Sequence, residues 1–492
     1  MRSKFRNTTS EIKPGDLLLS EQPFAYVLSS KEQGNRCDNC LEKVKLLKCS
    51  GCQFVYYCGR SCQKDAWGDH KWECPNLKRV APKVIPDGAR MLAKIINRLN
   101  RGDGHSFRSF YSATSFRMWK DLMSHYPNLK ADKKRMDHFT SLCVVLYEFL
   151  KDISLPNTVE LMGLYGRMVI NSFMILDTDM NSIGTGIYLA SSIVDHSCEP
   201  NAVVTFDGKT INIRAIQNMS YLDWNQIRIS YIDMMKTPYE RQNELLSSYY
   251  FLCGCHRCID GNQVKYVHAA KCLNENCEAP VKITWNENCQ LVLRPVTEGS
   301  TQNGVSNGIQ NGDFQKQNGG CDEEEIDNEE FVYCKECGTK YTEKHVEAFI
   351  KIMEFTKQHL KNMEGSSVAY VDVCNYCLDR HEGVLHPLNV MHAQTLDHAF
   401  EAHVQMQLWE KACVYAERLI PCFRFYHGDK NPLLGLLYLK YGKILLYKMD
   451  LEKAVAQLKL AEKIIKTTHG ESHPLYREQL VPLLQQALAE AD

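Results

Sequence analysis

Eight residues between Cys37 and Cys74 have the types and the spacing of metal ligands. They follow the pattern C-x2-C-x8-C-x2-C-x5-C-x3-C-x7-H-x3-C, and they are Cys37, Cys40, Cys49, Cys52, Cys58, Cys62, His70 and Cys74. Eight sulfur and nitrogen donors can bind two zinc ions, because each ion takes four ligands in a tetrahedron. The segment has few large apolar residues, so we expect zinc to supply much of its folding free energy. The pattern indicates a docking or recruitment module.

Cysteines farther along the chain form two more candidate zinc sites. One combines Cys198 with the C-x-C-x2-C run of Cys253, Cys255 and Cys258, which needs a fourth ligand from elsewhere. The other consists of two knuckles that resemble a zinc ribbon: Cys272, Cys277, Cys334 and Cys337. Cys289 and Cys321 lie nearby and compete for that site. Cys374 and Cys377 occur in a helical stretch, where packed thiols are favoured over a fifth metal site.

The length, composition and net charge are those of an ordinary globular protein. Its 492 residues, 44% hydrophobic and 24% charged, give it the size for two to four domains. A formal net charge of −1 gives no reason to expect non-specific nucleic-acid binding. The sequence shows neither a run of about 18 apolar residues nor an apolar signal segment, so we expect no membrane span and no secretion. Paired cysteines then favour zinc in a reducing compartment over disulfides.

Short apolar runs flank the eight-ligand segment on both sides and predict β-strands. Those before it are Leu17–Leu19 and Phe24–Leu28, after a turn at Ile12–Asp16. Those after it are Ile187–Leu189, Val203–Phe206, Ile211–Ile213 and Ile227–Ser230. From about Asp87 to Val169 helical periodicity dominates, with Met91, Ile95, Ile96 and Leu99 on one face. We therefore predict a β domain that is split by a zinc module and a helical insert.

The remaining sequence contains a low-complexity stretch and an internal repeat. Residues 298–330 are rich in Gly, Asn and Gln and end in an acidic run, which predicts a disordered loop. In the helical C-terminal region, Trp409–Ala412, His427-Gly428 and Pro432-Leu433 each recur in similar form 42 residues later. A repeat of this length predicts paired helices stacked as a solenoid, longer than a standard tetratricopeptide (TPR) unit.

The order of these features resembles one family. The eight-ligand pattern matches the MYND zinc finger, and it is followed by D-H-S-C-E-P-N at 195–201, R-I-S-Y at 228–231 and Y-Y-F-L-C-G-C-H-R-C at 249–258. Together they resemble the SMYD family of SET- and MYND-domain lysine methyltransferases, and its arthropod members most. The resemblance covers roughly residues 11–258 in order, and the helical repeat also fits it.

The resemblance implies an α+β fold with seven parts. These are a SET N-terminal part (1–30), a MYND finger (37–74), a helical insert (75–170), a SET core (171–235), a post-SET zinc segment (236–258), a zinc-ribbon-like insert (259–340) that contains the loop 298–330, and a TPR-like helical domain (341–492). The segment from His196 to Asn201 would form the knot-like cofactor site of the SET domain. Cys198, Cys253, Cys255 and Cys258 would bind the post-SET zinc, which brings the expected total to four ions.

The resemblance also implies an activity and its residues. S-adenosylmethionine would contact His125, Asn171, Asp195, His196, Tyr231 and Phe251. Tyr231 would be the active-site tyrosine, and Tyr249 would line the lysine channel. The expected function is methylation of lysine on histone or other proteins, by a monomer in the cytoplasm and nucleus. The MYND finger would dock proline-containing peptides, and the solenoid would form a second wall of the substrate cleft.

The basic residues of 37–83 leave two interpretations open. The segment contains nine lysines and arginines and five acidic residues. This modest excess of positive charge favours a solvent-exposed surface, and weak contact with DNA is the more specific alternative.

The chain departs from the family pattern at three places. Arg6-Asn7-Thr8-Thr9 stands where the family has a Gly-x-Gly stretch that lets the backbone wrap the cofactor closely. Asp195 replaces an asparagine, and Asp223-Trp224-Asn225 replaces a Gly-Glu-Glu. These departures leave a second interpretation open, a catalytically inactive adaptor or co-regulator scaffold that keeps the finger and the helical repeat for protein binding.

Overall fold

The structure is a computed structural model, and it describes residues 3–6, 10–151, 153–259, 261–283, 332–363 and 370–491. The predicted disordered loop 298–330, Cys289, Cys321 and the segment Asn7–Thr9 lie outside the described residues. The chain divides into two compact units. The first comprises Met1–Cys258, Ala369–Val371 and Leu396–Asp492, and the second comprises Ile259–Val368 and Asp372–Thr395. Each unit is described by itself.

The described residues form a mixed α and β structure, as the sequence predicted. The strands are β1 Ser3–Phe5, β2 Leu17–Glu21, β3 Ala25–Leu28, β4 Leu47–Lys48, β5 Tyr56–Tyr57, β6 Ser109–Phe110, β7 Phe116–Arg117, β8 Ser172–Leu176, β9 Ser182–Ile187, β10 Asp195–His196, β11 Ala202–Asp207, β12 Thr210–Ala215, β13 Arg228–Ile229, β14 Ala269–Lys271 and β15 Pro280–Lys282. The α-helices are α1 Arg60–Val80, α2 Asp87–Asn100, α3 Asp103–Ser106, α4 Tyr126–Ala131, α5 Lys133–Phe149, α6 Thr158–Asn171, α7 Pro238–Tyr249, α8 His256–Ile259, α9 Gly261–Val267, α10 Glu343–Met363, α11 Val371–His381, α12 Val390–Gln405, α13 Trp409–His427, α14 Pro432–Tyr447, α15 Leu451–Thr468 and α16 Val481–Ala491.

The strands that precede the finger pair with strands that follow the helical insert. One sheet has the order β1-β2-β12-β11, and another has the order β3-β9-β8. Leu28 pairs with Gly184, so the chain leaves a strand pair and returns to it more than 150 residues later. Ile211, Ile213 and Ala215 alternate along β12 and are fully buried. This period of two covers one face of the sheet with apolar side chains.

Two short strands that are separated in the sequence pair with each other next to this sheet. β10 and β13 run parallel, with Asp195 opposite Arg228 and His196 opposite Ile229. Asn201 fixes this pairing, because its Nδ2 donates to the carbonyl of Gln226 at 2.8 Å and its Oδ1 accepts from the amide of Arg228 at 2.8 Å. The predicted strand Ile187–Leu189 is mostly wrong, because β9 ends at Ile187 and a turn with Tyr188 and Leu189 fully buried follows.

The finger packs on helix α2 through a buried ion network. The predicted apolar face of α2 is buried at Met91, Ile95 and Ile96. On the same helix, Arg90 Nε donates to Glu73 Oε1 at 2.6 Å, and its Nη2 donates to Asp38 Oδ1 at 3.3 Å. The helical insert also contains the β6–β7 hairpin, which the sequence pattern did not predict.

The C-terminal repeat of the sequence forms two successive helical hairpins. The first is α13 with α14, and the second begins with α15 and continues through a π-helical turn at Leu475–Leu480 into α16. Helix α13 ends directly before Gly428 at φ 84°, and helix α15 ends at Thr468, two residues before Gly470 at φ 86°. Glycine occupies this conformation at no steric cost, so the repeated His-Gly pair marks the end of each first helix.

The described residues of the second unit contain a short β-hairpin, the helices α9 and α10, most of α11 and the start of α12. β14 pairs with β15, and α10 buries Phe349 and Met353. Cys374 and Cys377 lie on α11, where both are buried and the Cys374 thiol donates to Met363 Sδ at 3.8 Å. None of the described helices is long and apolar enough to span a membrane.

Candidate functional site: four metal-binding groups and an aromatic cluster

The side chains that the sequence analysis identified as zinc ligands converge in four groups of four. They are the Cys37 group (Cys37, Cys40, Cys58, Cys62), the Cys49 group (Cys49, Cys52, His70, Cys74), the Cys198 group (Cys198, Cys253, Cys255, Cys258) and the Cys272 group (Cys272, Cys277, Cys334, Cys337). In each group the ligand atoms lie within 4.8 Å of one another. The two finger groups interleave along the chain, which ties β4, β5 and α1 together.

The distances inside the groups fit tetrahedral zinc. A Zn–S bond of about 2.3 Å places two sulfurs of one tetrahedron roughly 3.8 Å apart. The structure gives 3.8 Å between Cys40 and Cys58, 3.6 Å between Cys52 Sγ and His70 Nε2, and 3.7 Å between Cys277 and Cys334. In the Cys198 group, the Cys198 sulfur lies 3.4 Å from that of Cys258. These distances are far too long for a disulfide bond of about 2.05 Å.

Glycine is required at one point of the finger. A Cβ atom on Gly51 would lie 2.8 Å from Cys74 Sγ, which is closer than carbon and sulfur can approach. The C-x2-C turn of Cys49 and Cys52 can therefore wrap the Cys74 sulfur only with glycine at this position.

We expect purified protein to contain four zinc ions per chain, one for each group. Cys277→Ser should lower the content to three, because three ligands and a hydroxyl bind zinc poorly. Cys143→Ser is the matched control, since Cys143 belongs to none of the four groups and should leave four ions. Metal analysis by mass spectrometry on desalted protein measures the content. An unchanged zinc content in Cys277→Ser relative to wild type would remove the Cys272 group from the zinc sites.

An aromatic cluster lies directly beside the Cys198 group. The rings of His196 and Tyr231 are 5.4 Å apart, those of Tyr231 and Tyr249 are 5.1 Å apart, and those of His196 and Phe251 are 6.0 Å apart. His196 Nε2 lies 3.3 Å from Cys198 Sγ. The structure thus brings together four of the residues that the sequence analysis singled out, from β10, from the segment after β13 and from the end of α7.

Hydrogen bonds fix the two central members of this cluster. The backbone amide of Tyr231 donates to His196 Nδ1 at 3.0 Å, and the Tyr231 hydroxyl donates to the carbonyl of Val194 at 2.6 Å. Burial raises the pKa of the Tyr231 hydroxyl, and the charges of Asp195 and Tyr249 raise it further. Burial likewise raises the pKa of Tyr249. Both side chains therefore stay neutral phenols at physiological pH and can act as hydrogen-bond donors.

Asn171 and His125 belong to a neighbouring layer. Asn171 Nδ2 donates to the carbonyl of Met123 at 2.8 Å, which holds the loop that leads into His125. His125 takes a left-handed backbone conformation at φ 48°, and its ring lies 5.7 Å from that of Tyr250. Tyr250 stands between Tyr249 and Phe251 in the chain, so it links the layer to the aromatic cluster.

Gly166 on α6 shapes this layer and was not singled out by the sequence analysis. A Cβ atom at position 166 would lie 2.3 Å from the carbonyl oxygen of Ser124, inside van der Waals contact. The backbone around Ser124 and His125 can therefore lie against α6 only because residue 166 is glycine. A single glycine does not change the hydrophobic periodicity of a helix, so only its contacts in the folded structure show its role.

Asp195 lies at the exposed edge of the cluster. A nearby cation is Arg117, which comes from the unpredicted β6–β7 hairpin. Burial lowers the pKa of the Arg117 guanidinium, and the neighbouring groups act in the opposite direction; they are Asp121, Tyr111, Asp195 and Tyr231. At the start of the chain, Arg6 pairs with Asp16 at 3.0 Å and donates to the carbonyl of Glu11. The family's Gly-x-Gly position is thus represented in the described residues only by this ion-paired arginine.

Comparisons with known proteins agree with the two metal-binding groups of the finger. Residues 37–74 match the family described as MYND finger. The chain is 27% identical over 481 residues to the histone-lysine N-methyltransferase SMYD3 of Homo sapiens, an alignment that covers 96% of this chain and 93% of that protein. It is 24% identical to the histone-lysine N-methyltransferase ASHR1 of Arabidopsis thaliana, over 98% of this chain and 93% of that protein. It is also 24% identical to the N-lysine methyltransferase SMYD2 of Homo sapiens, over 94% and 92%.

The finger with its two interleaved ligand groups defines a MYND zinc-finger protein. Relatives named SMYD3, ASHR1 and SMYD2 align along nearly the whole chain, so the protein resembles the SMYD family over almost its full length.

Proposed function

We propose that this chain is an S-adenosylmethionine-dependent protein-lysine methyltransferase. The single observation that carries the proposal is the aromatic cluster of His196, Tyr231, Tyr249 and Phe251, held beside the Cys198 group. Similarity to proteins named lysine methyltransferases supports it. Because two of those relatives are named for histone lysine, histones are the first substrates to test, with non-histone proteins next.

The cluster suits the chemistry of a lysine amine. A free lysine has a pKa of about 10.4 and is mostly charged at neutral pH. A channel walled by Tyr231, Tyr249 and Phe251 removes water from the amine and so favours its neutral, nucleophilic form. Neutral phenols can orient the lone pair of the nitrogen without competing as nucleophiles. Bound S-adenosylmethionine supplies the methyl group, and alignment by these side chains contributes several kcal/mol by orientation alone.

The residues for the cofactor are His125, Asn171, Asp195, His196, Tyr231 and Phe251. The backbone of Ser124 and His125, which packs against α6 at Gly166, would form one side of the cofactor site, and Asn171 holds the preceding Met123 carbonyl. The carboxylate of Asp195 would pair with the ammonium of the cofactor, and Arg117 offsets its charge. In this proposal, residues 1–30 and 171–235 form a SET domain that is split by the finger (37–74) and the helical insert (75–170). Residues 236–258 form the post-SET segment, residues 259–340 carry the ribbon, and residues 341–492 form a TPR-like domain.

The finger and the helical repeat would select the protein substrates. We propose that the finger docks proline-containing peptides and that the repeat walls the substrate cleft. Zinc-thiolate groups require reduced cysteines, which supports residence in the cytoplasm and nucleus.

Calorimetric titration of the folded, zinc-loaded chain with S-adenosylmethionine tests the proposal. We expect a micromolar Kd, followed by methyl transfer to core histones or another lysine-rich protein. The adaptor is the second candidate, and it is favoured by the absence of glycine at Arg6-Asn7-Thr8-Thr9. An absence of binding up to millimolar cofactor would support the adaptor and reject the enzyme.

Gly166→Ala should weaken the binding of S-adenosylmethionine by roughly 10-fold or more. The new methyl group must push the Ser124 carbonyl away from α6. Overpacking of this kind costs about 1–3 kcal/mol. The same titration measures the effect. Gly163→Ala, one turn earlier on α6, is the matched control. Its new Cβ would have its nearest neighbour, Arg167 Nη1, at 3.5 Å, which is ordinary contact. Equal affinity in the two variants would place the cofactor away from this loop.

A further inference from the structure

Two buried arginines contact the Cys198 group, and the proposed methyl transfer makes no use of them. Arg241 is only 2% exposed and Arg257 only 8%. Arg241 Nη2 lies 3.9 Å from Cys258 Sγ and donates to the carbonyl of Arg257 at 3.3 Å, and its Nη1 donates to the carbonyl of Lys236 at 2.7 Å. These contacts of the Arg241 guanidinium are with carbonyls and a sulfur, and none of them is with a carboxylate.

A zinc ion in the Cys198 group would balance this buried charge. Four thiolates around one divalent ion leave two net negative charges, and two guanidinium groups supply two positive ones. A buried cation without such compensation costs several kcal/mol. The positions of Arg241 and Arg257 are therefore those expected around a tetrathiolate zinc centre, where neighbouring groups tune the affinity for the metal.

Arg257 also reaches the first helical hairpin of the C-terminal repeat. Its Nη1 donates to the carbonyl of Cys198 at 3.3 Å, and its Nη2 donates to the carbonyl of Phe425 at 2.9 Å. Phe425 lies in the last turn of α13, where backbone carbonyls lack partners within the helix and a positive charge is favourable. One side chain thus connects a zinc ligand to the end of α13.

One more hydrogen bond holds the same end of the hairpin, because Lys430 Nζ donates to the carbonyl of Ile216 at 2.9 Å. His427 Nε2 lies 3.9 Å from Asp233 Oδ1, but burial lowers the pKa of His427 to about 4, so the ring is neutral near pH 7 and forms no ion pair there. The turn after α13 is therefore anchored to the zinc-binding segment through Arg257 and to the loop after β12 through Lys430.

We propose that Arg241 and Arg257 are positioning residues that couple retention of zinc in the Cys198 group to docking of the α13 terminus. Loss of the ion releases the end of α13, and undocking of α13 weakens the hold on the ion, because such coupling is reciprocal. His196 and Phe251 flank the same group in the sequence, so the coupling extends to the aromatic cluster. The inference rests on the proposed function only in that the Cys198 group holds zinc.

Zinc release into excess 4-(2-pyridylazo)resorcinol tests the coupling in the full chain. In Arg241→Leu and Arg257→Leu, one of the four ions should leave roughly 10- to 100-fold faster than in wild type. Arg241→Lys should restore slow release in part, since it keeps the charge. Arg424→Leu is the control, because Arg424 lies on α13 but pairs with the exposed Asp429. Release at the control rate in both leucine variants would overturn the proposal.

Hydrogen exchange gives a second readout that does not depend on the arginine variants. Cys255→Ser should empty the Cys198 group, and the amide of Gly428, which donates to the carbonyl of Arg424, should then exchange at least 10-fold faster. The amide of His469 at the end of α15 is the internal control and should not change. Unchanged exchange at Gly428 would refute the coupling.

Neither readout involves methyl transfer. If the chain shows the coupling but binds no S-adenosylmethionine, only the proposed methyltransferase function is rejected. If the chain is an active methyltransferase without the coupling, only this inference is rejected.

Discussion

Tyr231→Phe should lower kcat for methyl transfer by roughly 100-fold, the loss expected when reacting groups shift by about 1 Å. The hydroxyl of Tyr231 donates to the carbonyl of Val194, the residue immediately before Asp195 and His196. Without it, a buried carbonyl loses its partner and the segment that carries both residues is no longer fixed. Transfer of tritiated methyl groups from S-adenosylmethionine to core histones measures the rate, with zinc content and thermal unfolding measured on the same sample.

Tyr221→Phe is the matched control for this prediction. Tyr221 lies between β12 and β13 but is 54% exposed, and its loss should leave turnover within about twofold. The zinc content of both variants should remain at four ions. Unchanged turnover in Tyr231→Phe would refute the assignment of the active site, whereas a fall in both variants would indicate a general loss of folding.

Arg90→Leu should destabilise the contact between the finger and α2 by about 3–5 kcal/mol, which is typical when one partner of a buried ion pair is removed. Asp38, Glu73 and Arg90 all have side chains less than a tenth exposed, so the two carboxylates would remain buried with only Lys94 near Glu73 as a cation. Native-state hydrogen exchange of α2 and of the Cys49 turn measures the local opening free energy.

Two variants make this test specific. Arg60→Leu removes an exposed arginine of the finger helix α1 and should change the opening free energy by less than about 0.5 kcal/mol. Adding Glu73→Leu to Arg90→Leu should recover part of the loss, because an apolar pair of similar size avoids the buried charge. Full stability in Arg90→Leu alone would mean that apolar packing, and not the ion network, holds the finger.

Most of the metal-binding groups could be predicted because their ligands lie close together in the sequence. Short C-x2-C spacings bring two sulfurs to one ion through a single turn, so the ligand spacing alone predicts the finger and the ribbon. Cys198 is different. It lies 55 residues before Cys253, and only its place in D-H-S-C-E-P-N and the family resemblance paired it with the C-x-C-x2-C run. The mixed α and β fold and the MYND finger are confirmed, while the roles of Tyr231, Tyr249 and the cofactor residues stay predictions.

The features that escaped prediction depend on tertiary neighbours. Gly166 looks like a weak point in a helix until the Ser124 carbonyl is seen against it. Arg241 and Arg90 look like surface residues of amphipathic helices, yet both are buried, and they contact a cysteine sulfur and a carboxylate on other segments of the chain. The run Ile187–Leu189 is apolar enough for a strand, but its last two residues are buried in a turn. Hydrophobicity alone does not distinguish these two ways of being buried.

The pairing of Leu28 with Gly184 has a consequence for how the chain is made. A ribosome synthesises β2 and β3 long before β12 and β9, so β3 must wait unpaired, and β2 with only β1 beside it, for more than 150 residues. The finger and the helices between them contain their own zinc ligands and apolar faces and can become ordered during that interval. Their folding shortens the span between the two strand ends. Zinc supply during translation should therefore govern the yield of folded enzyme, and cells starved of zinc should accumulate aggregates with exposed strand edges.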